Sequence, residues 1–143
     1  MRTAYKWIAT VALAAVVVQV GFAGFGAFYA AHKVDKEPKV VTSDQFDTGF
    51  GPHFFGALAV ILSVLVLLIV GVIAGYGKWR LGRHGVLALL VVLQVILAGI
   101  AFGVPAIGFF HAVNALVILS MVGWIVRDEW SRPKAPEVAP TPT

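Results

Sequence analysis

The chain has 143 residues, of which 59% are hydrophobic and only 13% are charged, and its mean hydropathy is +0.90. A soluble domain is about 45–50% apolar and about 25% charged, so this composition excludes a soluble globular domain and a disordered chain. The length suits one domain. The absence of cysteine excludes disulfides, thiolate zinc sites, iron–sulfur clusters and covalently attached c-type haem.

Three long stretches without charged residues follow one another, at residues 7–31, 50–77 and 85–126. One membrane span needs about 20 residues, so the third stretch must hold two spans. Gly103 and Pro105 mark the break, because proline disrupts a helix interior but suits the first turn of a new helix. We therefore predict four transmembrane helices, near residues 7–31, 52–76, 86–103 and 106–126.

The basic residues predict the orientation of these helices. The loop between the second and third helices carries Lys78, Arg80 and Arg83 with no acid, and the N-terminal segment is also basic. Because such segments stay cytoplasmic, we expect a bacterial-type inner membrane protein with both termini cytoplasmic. We expect residues 1–126 to form the transmembrane domain and the Pro-rich residues 127–143 to form a disordered cytoplasmic tail. We therefore interpret the cluster Lys78–Arg83 mainly as a signal of topology, with an anionic-lipid site as the alternative. Nucleic acid is not an expected partner.

An internal repeat relates the two halves of the chain. Gln19 in the run Val-Val-Val-Gln-Val matches Gln94 in Val-Val-Leu-Gln-Val, 75 residues later. His53 and His111 lie 58 residues apart, and each is followed by Ala-Leu at positions i+4 and i+5. We therefore predict an all-α four-helix transmembrane bundle made of two helical hairpins, related by a pseudo-twofold axis along the membrane normal.

The repeat places His53 and His111 at similar depth near the outer face, one turn or two inside their helices. Ionisable side chains inside a membrane span are rare and indicate a functional site. A symmetric pair suits the two axial positions of a non-covalent haem b; ordinary hydrogen bonding, or a zinc or copper site, are the alternatives. His32 and His84 fall in predicted loops, and we expect both to be solvated.

Other residues complete the candidate site. Gly56 and Asn114 follow the histidines at i+3 and so share their helix faces. We expect Phe54 and Phe110 to cover the edges of the cofactor, and the outer loop to cover it further or to dock a partner. For the mid-membrane pair of glutamines, Gln19 and Gln94, we expect a hydrogen bond to each other across the first and third helices, or contact with a quinone or the haem edge.

The run Gln94–Gly99, the break at Pro105 and the run His111–Ala115 resemble one four-helix half of the haem A synthase family. They are similar, more closely, to a group of small uncharacterised bacterial four-helix membrane proteins with His-x-x-Asn on the last helix. The first resemblance implies a bundle whose second and fourth helices each give a histidine to haem, here His53 and His111.

The chain departs from the synthase pattern in several ways. Phe50 and Phe54 stand where the active half of the family has a glutamate and an arginine, and the outer-loop cysteine pair and the second half are absent. We therefore expect a membrane b-type haem protein with bis-histidine ligation, for electron transfer or haem handling. A half-length haem A synthase-like enzyme and a haem-free structural subunit of a membrane complex are the alternatives. Expected partners are the lipid bilayer, haem, and a redox partner or a second copy.

Overall fold

The computed structural model of the protein describes residues 2–36 and 39–132. Its helices are α1 (Arg2–Val34), α2 (Ser43–Ile73), α3 (Lys78–Gly103) and α4 (Ile107–Trp130). Each of the four is long and apolar enough to cross a membrane. The prediction of an all-α bundle of four membrane-type helices is confirmed.

The helices extend beyond the predicted spans. α1 has 33 residues, and at about 1.5 Å per residue it exceeds the roughly 30 Å of a bilayer core. α2 begins at Ser43 rather than near residue 52, because Thr42 and Gln45 cap it reciprocally through their side chains and backbone N–H groups. α4 continues to Trp130, so the first residues of the predicted tail are helical. The rest of that tail, 133–143, lies outside the described residues.

The four helices run up and down in sequence order. α1 packs against α2, α2 against α3, α3 against α4, and α4 closes on α1. Across the described part of the chain, the diagonal pairs α1–α3 and α2–α4 make no close backbone contact. We call the end with the start of α1, the α2–α3 turn and the end of α4 the basic end, and the opposite end, with residues 39–42 and 104–106, the histidine end.

The turn between α2 and α3 is closed by a glycine. Gly75 has φ 68°, a left-handed conformation that glycine adopts without strain. The Gly75 N–H donates to the Val72 carbonyl oxygen at 3.0 Å, and the Tyr76 N–H donates to that of Gly71 at 3.2 Å. This pair of hydrogen bonds is a Schellman motif, and it places the Tyr76 ring against Gly71 at the basic end.

The hydrophobic core fills the half of the bundle near the basic end. Its buried side chains are Tyr5, Ala9, Ala12, Val16, Val60, Val64, Leu67, Tyr76, Leu87, Val91, Ile118, Val122 and Ile125. The buried positions follow the internal repeat. The 75-residue offset pairs buried Ala12 with Leu87 and Val16 with Val91. The 58-residue offset pairs buried Val60, Val64 and Leu67 with Ile118, Val122 and Ile125. The internal repeat seen in the polar residues therefore extends to the packing of both hairpins.

The half near the histidine end is packed differently. Among the described residues, the buried core stops at Val16, Val60, Val91 and Ile118, and no buried apolar side chain lies farther toward the histidine end. Partly buried polar side chains occupy the bundle there instead. The fold thus combines an apolar half with a buried core and a polar half that contains both histidines of the repeat.

Candidate functional site

His53 of α2 and His111 of α4 face each other across the bundle. Their ring centroids are 6.3 Å apart and their planes cross at 67°. Both side chains are half-buried. α2 and α4 lie diagonally in the bundle. The two rings still approach each other because both histidines lie near the histidine end of their helices and point toward the bundle axis.

Each histidine is held by the glutamine of its own hairpin in the same way. The Nδ1 atom of His53 bonds the Gln19 carbonyl oxygen at 3.2 Å, and that of His111 bonds the Gln94 carbonyl oxygen at 3.1 Å. A carbonyl oxygen can only accept, so both Nδ1 atoms carry the hydrogen. In a neutral ring this leaves the lone pair on Nε2, the arrangement that orients a histidine toward a metal.

The glutamine side chains differ between the hairpins. Gln19 Nε2 donates to the His53 backbone oxygen at 2.7 Å, and its Oε1 atom is buried without a hydrogen-bond partner among the described residues. Gln94 Nε2 lies 3.1 Å from His111 Nε2, where it donates to the histidine lone pair. The prediction of a hydrogen bond between the two glutamines is wrong. α1 and α3 lie diagonally in the bundle, and each amide contacts residues of its own hairpin instead.

Gly56 and Asn114, equivalent positions of the repeat, accommodate these glutamines. A Cβ atom at Gly56 would collide with Gln19 Oε1 and lie 3.3 Å from Gln19 Cδ, so the glycine makes room for the amide. Asn114 is buried, and its Nδ2 donates to Gln94 Oε1 at 2.7 Å and to the Leu90 carbonyl oxygen at 2.9 Å. Both residues, expected beside a cofactor, therefore contact the glutamine that holds the histidine.

Aromatic rings pack beside His53 on the surface between α2 and α3, where Phe54 is 47% and Phe102 is 66% exposed. Phe54 stacks on Phe102 of α3 with ring centroids 6.4 Å apart, and Phe46 packs against both rings. Phe54 also lies edge-on to the His53 ring at 6.4 Å. Phe110 is exposed and packs edge-on against Phe109 instead. These aromatic rings thus lie between α2 and α3. They include Phe54 but not Phe110, the other predicted phenylalanine.

The basic end holds a second polar cluster that the sequence analysis did not recognise. His84 was expected to be solvated in a loop, but it lies in α3 and is 3% exposed. Its Nε2 hydrogen-bonds the Tyr5 hydroxyl, and its Nδ1 bonds the Arg80 carbonyl oxygen at 2.6 Å. The expectation failed because α3 begins at Lys78 and carries this side chain into the core. His32, by contrast, is exposed in the last turn of α1.

Glu129 of α4 is the buried acid of this cluster. Its side chain is 2% exposed and forms an ion pair with Arg80. The Tyr76 hydroxyl donates to Glu129 Oε2 at 3.4 Å, and the Arg80 guanidinium also lies over the Tyr76 ring, 3.6 Å from its centroid. These contacts join α4, α3 and the α2–α3 turn. The internal repeat could have indicated that Glu129 is buried, because the 58-residue offset maps it onto Gly71, which is also buried.

The fold and the two polar clusters define the chain as a four-helix, membrane-type bundle with internal repeat symmetry. No family model, curated protein or solved structure matches it. The resemblance to a half of haem A synthase therefore stays a hypothesis, and any function must be argued from the site itself.

Proposed function

We propose that the protein is a membrane b-type haem protein in which His53 and His111 hold one iron from opposite sides. The observation that carries the proposal is the paired geometry of the two rings, both with Nδ1 on a glutamine carbonyl and with centroids 6.3 Å apart. Two imidazoles on opposite sides of one metal ion, each with a metal–nitrogen bond of about 2.0–2.1 Å, would have ring centroids about 6 Å apart.

The surroundings of the pair support haem over a bare metal ion. In residues 2–36 and 39–132, no group of three His, Cys, Asp or Glu side chains could complete a zinc or copper site. Haem supplies four ligands itself and needs only two from the protein. Among the described residues, the buried apolar core ends before this level. Phe54, although 47% exposed, lies 6.4 Å from the His53 ring and would contact the edge of a bound ring system.

The protein groups have distinct tasks in this proposal. The Gln19 and Gln94 carbonyl oxygens orient the rings and keep hydrogen on Nδ1, so that Nε2 remains the ligand atom. The Gln94 amide must turn away from His111 Nε2 before this nitrogen can bind iron. Haem held by two histidines would supply one-electron chemistry rather than oxygen binding, which favours electron transfer or haem handling.

A haem-free structural subunit is the second candidate, and two hydrogen bonds favour it. The Gln94 amide already satisfies His111 Nε2, and Asn114 satisfies the Gln94 oxygen, so this hairpin closes its own polar network. A synthase-like activity has less support. Phe50 packs against Gly26 and Phe46, and Phe54 packs against Phe102. These apolar contacts occupy the two positions where the synthase family has a glutamate and an arginine.

Titration of the purified chain with haem b tests the proposal. We expect a low-spin spectrum that saturates at one haem per chain, and His53→Ala and His111→Ala should each abolish that low-spin form. His32→Ala removes an exposed histidine of α1 and serves as the control that keeps the spectrum. Unsaturable binding, or a spectrum that survives both site variants, would leave the structural candidate in place.

A further inference from the structure

The guanidinium of Arg83 lies between two indoles at the basic end. Its Cζ atom is 4.0 Å from the Trp124 ring centroid and 5.7 Å from that of Trp79. Both indoles are exposed, while the Arg83 side chain is only 21% exposed. Tryptophans of this kind sit at the level of lipid headgroups in membrane proteins.

The hydrogen-bond donors of Arg83 lack acceptors within residues 2–36 and 39–132. A guanidinium has five N–H donors, and Arg83 Nε is buried without a partner among the described residues. The nearest carboxylate oxygen, Asp128 Oδ2, is 3.6 Å from Arg83 Nη1, which is beyond hydrogen-bond distance. Arg132 already donates to that same oxygen at 2.7 Å. In this described part of the chain, the Nη groups of Arg83 have only this shared, longer ion pair with Asp128, so an acceptor from outside the chain can bind them.

The charge balance at this end favours an anion. Between residues 74 and 132 the cations are Lys78, Arg80, Arg83, Arg127 and Arg132, and the acids are Asp128 and Glu129. Glu129 is paired with Arg80, and Asp128 is shared between Arg132 at 2.7 Å and Arg83 at 3.6 Å, so Arg83 has no carboxylate of its own in this region. An anion beside the two indoles would balance the charge of Arg83.

We propose that Arg83, flanked by Trp79 and Trp124, binds the phosphodiester of an anionic phospholipid headgroup. A guanidinium donates two parallel hydrogen bonds to phosphate oxygens, and aromatic faces hold its plane. A lipid fits better than inorganic phosphate because exposed apolar side chains continue from the site along both helices, at Val86 of α3 and Val117 of α4. Acyl chains would cover these side chains while the phosphate meets Arg83.

Thermal unfolding of the full, delipidated chain in neutral detergent tests this site. We expect phosphatidylglycerol to raise the unfolding midpoint saturably. Phosphatidylcholine, whose phosphate charge is balanced by its choline, and inorganic phosphate at matched concentration should have little effect. Arg83→Gln should weaken the apparent affinity for phosphatidylglycerol about tenfold. Arg127→Gln, which removes an exposed cation of the same end, is the matched control and should change the affinity less than about twofold.

Asp128→Asn gives a test in the opposite direction, which remains informative if Arg83→Gln fails to fold. It removes the carboxylate that competes for Arg83, so phosphatidylglycerol should bind more tightly, and adding Arg83→Gln should abolish the gain. The proposal is overturned if Arg127→Gln weakens binding as much as Arg83→Gln, if inorganic phosphate stabilises as well as the lipid, or if Asp128→Asn leaves the affinity unchanged.

Discussion

Glu129→Ala removes the buried carboxylate of the basic-end cluster and should be the most destabilising change of a charged residue. The Glu129 side chain is 2% exposed, and it pairs with Arg80, whose side chain is 16% exposed. Removal leaves that guanidinium without its carboxylate and Tyr76 without its acceptor. Breaking one partner of a buried ion pair costs about 3–5 kcal/mol, so we expect the free energy of unfolding to fall by that amount.

Asp128→Ala, one residue earlier, is the matched control for this prediction. The Asp128 side chain is 31% exposed and its partner Arg132 is 34% exposed, so removal of this acid should cost about 0–1 kcal/mol. Both free energies can be measured by unfolding in mixed detergent micelles, followed by far-ultraviolet circular dichroism. Equal losses for the two variants, or a loss below about 1 kcal/mol for Glu129→Ala, would refute the role assigned to the buried pair.

Three further predictions concern the histidine end. Gln94→Ala should raise haem affinity about fivefold in a titration, because it removes a hydrogen bond of about 1 kcal/mol that competes for the α4 histidine; a fall would contradict this. Gly26→Ala should lower the free energy of unfolding in micelles by about 1–3 kcal/mol, since the new Cβ would lie 2.7 Å from Phe50 Cδ1. Gly99→Ala, whose Cβ would meet nothing within 4 Å, is the control and should raise that free energy by up to about 1 kcal/mol. Thr42→Ala should cost about 1 kcal/mol and speed amide exchange in the first turn of α2; unchanged exchange would argue against that cap.

The four helices and their repeat could be predicted because apolar runs and paired polar residues are local signals. The matching pairs Gln19/Gln94 and His53/His111 identified the two hairpins, and the same offsets reappear in the buried positions of the core. Which pairs of helices touch is not local information. The expected contact between the two glutamines failed for this reason, since α1 and α3 lie diagonally in the bundle.

The basic-end cluster escaped prediction because charged residues near helix ends look like loop residues in a sequence. His84 and Glu129 are buried only because α3 and α4 extend beyond their apolar runs. The repeat could have revealed them, since the 75-residue offset maps His84 onto Ala9 and the 58-residue offset maps Glu129 onto Gly71, all four being buried. Small residues of the first hairpin thus correspond to polar residues of the second.

The absorption spectrum of the chain purified from haem-supplied cells, recorded oxidised and then reduced, tests the central claim most directly. We expect one low-spin haem per chain with a sharp α band on reduction, because both axial positions would be filled by His53 and His111. A colourless protein, or a high-spin spectrum that neither His53→Ala nor His111→Ala alters, would contradict the assignment of this pair as a haem site.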